Sequence, residues 1–133
     1  MPTFSNKSLL KLDTCDSRLQ ALALAVVQKL NCTVVFGFRG KGEQDEAYKK
    51  GNSKLKFPQS KHNSLPSMAI DLAPYIEGKG IVWKANQCYY FAGYVMRIAD
   101  ELNIPIRWGG DWDMDNDVND QKFNDLVHFE IKE

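Results

Sequence analysis

An α+β fold, with a small antiparallel sheet packed against two main helices, is predicted by three observations. Two long segments, one over residues 19–30 and one over 86–102, repeat apolar residues at helical spacing, whereas the remaining apolar segments are short and alternate. The short strands are separated by long loops, not by regular crossover helices, which argues against a parallel sheet. The 133 residues, 44% of them hydrophobic, are expected to form one domain spanning residues 1–133 with a real core and no second domain.

In chain order, residues 1–11 read as an irregular arm. Leu19, Leu22, Val26 and Leu30 then define a core-facing helix, with Asp13 or Thr14 as its N-cap and Asn31 as its stop. Residues 32–38 are β-branched and aromatic, a buried strand ending just before Arg39. Residues 43–50 make a short polar helix closed by Gly51, and residues 52–67, with two prolines and four serines, read as a surface loop. Met68 to Ala73 alternates, placing Met68, Ile70 and Leu72 inward and Asp71 on the other face between Ala69 and Ala73. Pro74 is expected to end that strand, and residues 77–80 to turn the chain into residues 81–83. The second long helix runs from Asn86, its expected N-cap, to Leu102. Residues 105–108 form another short strand, residues 111–121 an acidic loop, and residues 127–131 the last strand, with His128 and Glu130 on the face opposite Val127, Phe129 and Ile131.

Seventeen basic and seventeen acidic side chains cancel, so overall charge favours neither nucleic acid nor an anionic membrane as partner. The charges are unevenly placed: residues 49–61 hold five lysines and no acid, and residues 111–125 hold six aspartates and one lysine. No apolar run approaches about 18 residues and the first ten residues lack a signal pattern, so neither membrane insertion nor signal-directed export is expected. Cys15, Cys32 and Cys88, odd in number and widely spaced, read as reduced thiols. A monomer is expected.

The chemistry concentrates around the only two histidines. His62 lies upstream of Asp71, and His128 lies three residues after Asp125. Two imidazoles and one carboxylate are the ligand set of a catalytic zinc site that keeps an open position. His62, Asp71 and His128 are thus read as zinc ligands, Asp125 as general base, and Glu130 as the group that orients His128 through its second nitrogen. Arg39, at a strand end, is a candidate to hold a substrate carboxylate or stabilise an oxyanion. Taken singly, each of these residues is as readily a loop, cap or ion-pair residue; the joint use of both histidines and a strand aspartate favours the metal. The alternating Asp113, Asp115, Asp117 and Asn119 suggest a calcium loop within residues 111–120, but Val118 stands where such a loop needs glycine and Asn124 where it needs glutamate, so a plain acidic loop is the stronger reading.

These segments resemble the superfamily of D-alanyl-D-alanine carboxypeptidases and L-alanyl-D-glutamate endopeptidases, particularly its short phage endolysin branch. Ser60-Lys61-His62 with Ala69-Ile70-Asp71 resembles its first signature, and Asp125-Leu126-Val127-His128-Phe129-Glu130 its second. Gly37-Phe38-Arg39 with Gln44, and Trp108-Gly109-Gly110-Asp111-Trp112, are similar to further family features. The resemblance covers most of the chain from about Val34 onward. It departs at Ser64-Leu65-Pro66-Ser67, which lengthens the gap between His and Ala-x-Asp and replaces a glycine; this reads as a loop variant that leaves the ligands in place.

The resemblance implies a hedgehog/DD-peptidase-like fold, zinc on His62, Asp71 and His128, Asp125 as base, Arg39 against the substrate, and Ser60, Gln44 and Glu130 in support. It implies cleavage of peptidoglycan stem peptides, foremost between L-alanine and D-glutamate, by a protein held in the host cytoplasm until a permeabilising partner opens the membrane. A D-Ala-D-Ala carboxypeptidase and a non-catalytic zinc-containing wall- or protein-binding module are the alternative expectations.

Overall fold

A computed structural model of the protein describes residues 2–133. Four helices, α1 (Asn6–Leu12), α2 (Ser17–Val27), α3 (Lys41–Lys49) and α4 (Ala85–Glu101), accompany five strands, β1 (Cys32–Phe36), β2 (Ala69–Ile76), β3 (Gly80–Ile81), β4 (Ile106–Gly109) and β5 (Asp125–Ile131). The sheet runs β1-β2-β5-β4 with β3 added to β2, and every pairing is antiparallel. The expected α+β class and antiparallel sheet are therefore present.

One face of the sheet builds the core. Ile70 and Leu72 of β2 and Phe129 and Ile131 of β5 are fully buried against Leu19, Leu22 and Val26 of α2 and Phe91 and Val95 of α4. Their alternation is what leaves the intervening residues, Asp71, His128 and Glu130, on the opposite face. The register sets Asp71 directly across from His128, and Arg107 of β4 across from Glu130.

Several expected boundaries differ. The N-terminal arm holds the helix α1, whose only regular packing signal is short; its stability is tertiary, since Leu12 is buried and the Ser8 hydroxyl pairs with Thr33 Oγ1 at 2.9 Å and accepts the Val34 N–H at 3.1 Å. The N-cap of α2 is Asp16, because Asp13 already closes α1 and Thr14 Oγ1 donates to the Lys11 carbonyl. Pro74 does not end β2. Its carbonyl still accepts from Val82 N–H at 2.9 Å, while the Val82 carbonyl, which Pro74 cannot serve, takes the Cys88 thiol at 3.6 Å. Helix α4 starts at Ala85 without a side-chain cap, and Asn86 Oδ1 accepts only the neighbouring Gln87 N–H.

The three cysteines are free and buried, and burial pushes the thiols of Cys15 to about 11 and Cys32 to about 12, which makes them poor nucleophiles. Among the described residues no helix is long and apolar enough to cross a membrane.

Candidate metal centre and cleft

The candidate ligand triangle is assembled from two strands and one loop. Asp71 and His128 face each other across the β2–β5 ladder. His62 comes from a single 3-10 turn, Lys61–Asn63, inside the long loop, and the turn is capped by Ser60, whose hydroxyl accepts the His62 N–H at 3.2 Å. The turn is latched to the end of β1, where Arg39 N–H donates to the His62 carbonyl at 2.7 Å and Asn63 Nδ2 donates to the Arg39 carbonyl at 2.9 Å.

His62 Nε2 lies 3.1 Å from Asp71 Oδ1 and 3.2 Å from His128 Nδ1, and His128 Nδ1 lies 3.3 Å from Asp71 Oδ1. Each outer ring nitrogen has a partner able only to accept. His62 Nδ1 donates to the Gly37 carbonyl at 2.7 Å, and His128 Nε2 donates to Glu130 Oε1 at 2.8 Å. With both rings neutral, the inner nitrogens turn lone pairs toward one another and toward a carboxylate oxygen, an arrangement relieved by a proton on His128 or by a metal ion among the three atoms. A tetrahedron with metal–ligand bonds of about 2.0–2.1 Å has edges of about 3.3–3.4 Å, close to the three separations observed. All three residues are buried, and the donor set fits a divalent metal.

Charge around the triangle is strongly coupled. Burial opposes ionisation of Asp71, yet its interactions with His62 and His128 outweigh burial and hold the carboxyl well below the usual carboxylate range. Burial likewise works against the imidazolium of His128, and hydrogen bonds to Asp71 and Glu130 overcome it, pushing the group up to about 9. Glu130, although buried, is brought down to about 2 by His128 and Arg107. Asp125 behaves oppositely: burial first and the charge of Asp71 second push it up to about 6. Its Oδ2 lies 3.9 Å from His128 Nδ1, beside the triangle and within reach of a water placed there.

Arg39 is buried with its guanidinium 4.5 Å above the Phe36 ring. One Nη donates to Asp71 Oδ2 at 3.3 Å and the other to Gln44 Oε1 at 3.0 Å. All eight residues singled out in the sequence, Asp125, Arg39, His62, Asp71, His128, Glu130, Ser60 and Gln44, thus gather in one region.

Sequence reasoning missed a second group. Arg107 donates to Glu130 Oε2 from Nε and Nη2 at 3.1 and 2.7 Å, and Lys61 Nζ approaches the same oxygen at 3.5 Å. Pairing β4 against β5 in register would have revealed the Arg107–Glu130 opposition. Trp112 stands 5.3 Å from the His128 ring, stacks on Phe123 at 6.4 Å and donates from Nε1 to the Phe123 carbonyl at 2.8 Å. No periodicity marks these two aromatics, which come from the acidic loop and its end. In that loop the Asp111, Asp113 and Asp115 carboxylates converge, while Asp117 Oδ1 accepts from Asn119 N–H at 2.9 Å, so the alternating set does not act together.

Two adjoining cavities that share lining residues flank the site as the arms of one cleft. Its larger arm, about 760 Å³, reaches Phe36, Trp83 and Asn124, and its smaller arm, about 370 Å³, reaches His62, Trp112 and His128. Arg39, Phe123 and Asp125 border both arms.

Comparison with known proteins gives the family. The phage L-alanyl-D-glutamate peptidase family matches residues 2–132. The L-alanyl-D-glutamate peptidase of Escherichia phage T5 is 32% identical over 121 residues, covering 89% of this chain and 87% of that protein. The peptidoglycan L-alanyl-D-glutamate endopeptidase CwlK of Bacillus subtilis (strain 168) is 31% identical over 124 residues, covering 84% of this chain and 67% of that protein. In three dimensions the crystal structure of the Serratia marcescens L-Ala D-Glu endopeptidase ChiX is similar in fold, with a TM-score of 0.74 at 22% identity over 98% of this chain and 91% of that one. A family match along nearly the whole length and a relative 32% identical over 89% of the chain lead to one assignment: the chain belongs to the phage L-alanyl-D-glutamate peptidase family.

Proposed function

We propose that this protein is a zinc endopeptidase that cleaves the L-Ala–D-Glu bond of peptidoglycan stem peptides during phage-type lysis, reaching the wall once the host membrane is permeabilised. The observation that carries the reading is the convergence of His62 Nε2, His128 Nδ1 and Asp71 Oδ1 within 3.1–3.3 Å of one another, beside Asp125 in an open cleft.

When bound by His62, Asp71 and His128, zinc supplies Lewis acidity that polarises a carbonyl and brings the pKa of a water to about 7. The protein supplies the rest. Asp125, at 3.9 Å from His128 Nδ1, takes a proton from the attacking water on its carboxylate and returns it to the leaving amine. Glu130 and the Gly37 carbonyl hold the two rings with their metal-facing nitrogens unprotonated. Arg39 fixes Asp71 and sets a permanent positive charge at the cleft wall, next to where negative charge develops on the scissile oxygen. Trp112 covers the His128 ring and limits access of bulk water from that side.

Digestion of purified peptidoglycan by the zinc-loaded protein, with labelling of the new amino termini, tests the reading. New D-glutamyl termini are the expected product. Release of free D-alanine without them would replace the endopeptidase by a terminal trimming enzyme, and absence of any cleavage would leave a binding module.

A further inference from the structure

The two arms of the cleft carry opposite charge. The larger arm is bordered by four acids, Glu43, Glu46, Asp71 and Asp125, against Arg39 and Lys50. The smaller arm is bordered by four bases, Arg39, Lys54, Lys61 and Arg107, against Asp125 and Glu130. An extended substrate lying across the site therefore meets a field that favours its anionic half in the smaller arm.

Three of the four bases are already committed. Arg39 is bonded to Asp71 and Gln44, and Arg107 and Lys61 both serve Glu130, with Lys61 also donating to the Ile131 carbonyl. Lys54 is different: it pairs with no carboxylate among the described residues, lines the smaller arm and rests its ammonium 5.3 Å from the ring of Phe123, a residue that borders both arms. Its backbone is not loose. Gln44, fully buried, donates from Nε2 to Ser53 Oγ at 2.9 Å and to the Leu55 carbonyl at 2.6 Å, gripping the chain on either side of Lys54 while its Oε1 holds Arg39. One buried amide thus ties the free cation to the arginine that braces the Asp71 ligand.

Building on the peptidase reading above, we propose that the smaller arm is the subsite for the residue on the C-terminal side of the scissile bond, and that Lys54 recognises the free carboxylate of that residue. A glutamyl residue has two carboxyl groups beyond its amine; the peptide continues through one and leaves the other ionised, a few bonds from the amide nitrogen that departs. That charge belongs in the cationic arm. The L-alanine and the sugar to which it is linked then occupy the larger arm.

The test compares two synthetic stem peptides that differ only in whether the glutamyl residue carries its free carboxylate or the corresponding amide. The wild-type zinc-loaded protein is expected to cleave the carboxylate form with a kcat/KM about two- to fivefold higher, the scale of one exposed ion pair. Lys54→Met is expected to abolish that preference through KM, and Lys54→Arg to restore it. Titration of the zinc-loaded protein with the D-glutamyl product peptide and its amide gives a reading independent of turnover, with the same preference expected and the same loss in Lys54→Met. Equal handling of both peptides by the wild type, or a preference that survives in Lys54→Met, overturns the proposal and leaves the peptidase intact. If the wild type binds the carboxylate peptide selectively but cleaves neither, the peptidase reading falls and with it this subsite's role.

Discussion

Glu130 accepts the Nε2 hydrogen of His128 at 2.8 Å from the same face of β5, two residues along one strand. The contact holds a hydrogen on Nε2 and sets the tilt of the ring, so that in the neutral imidazole Nδ1 presents its lone pair to the triangle. Glu130→Ala is expected to weaken zinc binding about 10–100-fold, the usual consequence of removing such a partner. Competition with a chromophoric chelator measures it. An unchanged affinity would show that the β-strand alone orients the ring.

Ligand and base are expected to separate on mutation. His62→Ala and His128→Ala should each lose stoichiometric zinc, measured by elemental analysis after gel filtration. Asp125→Ala should keep zinc and the native circular dichroism spectrum but lose about 10²–10⁴-fold in rate, the range for a positioned acid–base group. Full activity in Asp125→Ala would exclude it as the base.

The pH dependence follows from the environment of Asp125, whose carboxyl is pushed from 3.8 up to about 6. A base must be ionised, so a raised pKa removes activity on the acidic side: kcat/KM is expected to fall about tenfold per unit below the midpoint and to be flat just above it. Positive charge at the triangle favours the carboxylate, so the midpoint in the zinc-loaded enzyme is expected at or below about 6. A limb centred near 8 would point to another group.

Gly37 lies where β1 passes α1, and a β-carbon there would collide with the Lys11 carbonyl and Thr14 Oγ1 and stand 3.0 Å from Cys15 Sγ. The same residue's carbonyl accepts the Nδ1 hydrogen of His62. Gly37→Ala is expected to destabilise the fold by about 1–3 kcal/mol, read from the denaturation midpoint, and to weaken zinc binding as well. Loss of stability with undisturbed zinc affinity would mean that the clash relaxes away from His62.

Much of this was readable in the chain. The alternation around Asp71 and His128 separates core from cleft residues, because a strand with period two has no other way to bury Ile70, Leu72, Phe129 and Ile131 together. The three candidate ligand positions, which the fold brings together, stand out because both histidines and a strand aspartate are scarce features. What escaped depends on contacts distant in sequence. Helix α1 is short and is held by Ser8 against β1, and Pro74 stays in β2 because a cysteine on α4 serves the carbonyl it leaves free. Arg107 and Trp112 join the site only through the β4–β5 register and the course of the acidic loop. The five lysines of residues 49–61 look alike as sequence, yet Lys50 pairs with Glu46, Lys56 covers Tyr48, Lys61 meets Glu130, and Lys54 alone of these four turns a free charge to the cleft.

The latch between the Lys61–Asn63 turn and the end of β1 has a consequence for how the metal site comes apart. Pairing of the two central strands sets two corners of the triangle, but the third arrives only when a long connecting segment seats itself against Arg39. Weakening that seat, even by changes remote from the histidine, should therefore release the ion while the sheet is still intact. Zinc occupancy is then a gauge of loop docking, and it should fail at a lower temperature than the fold.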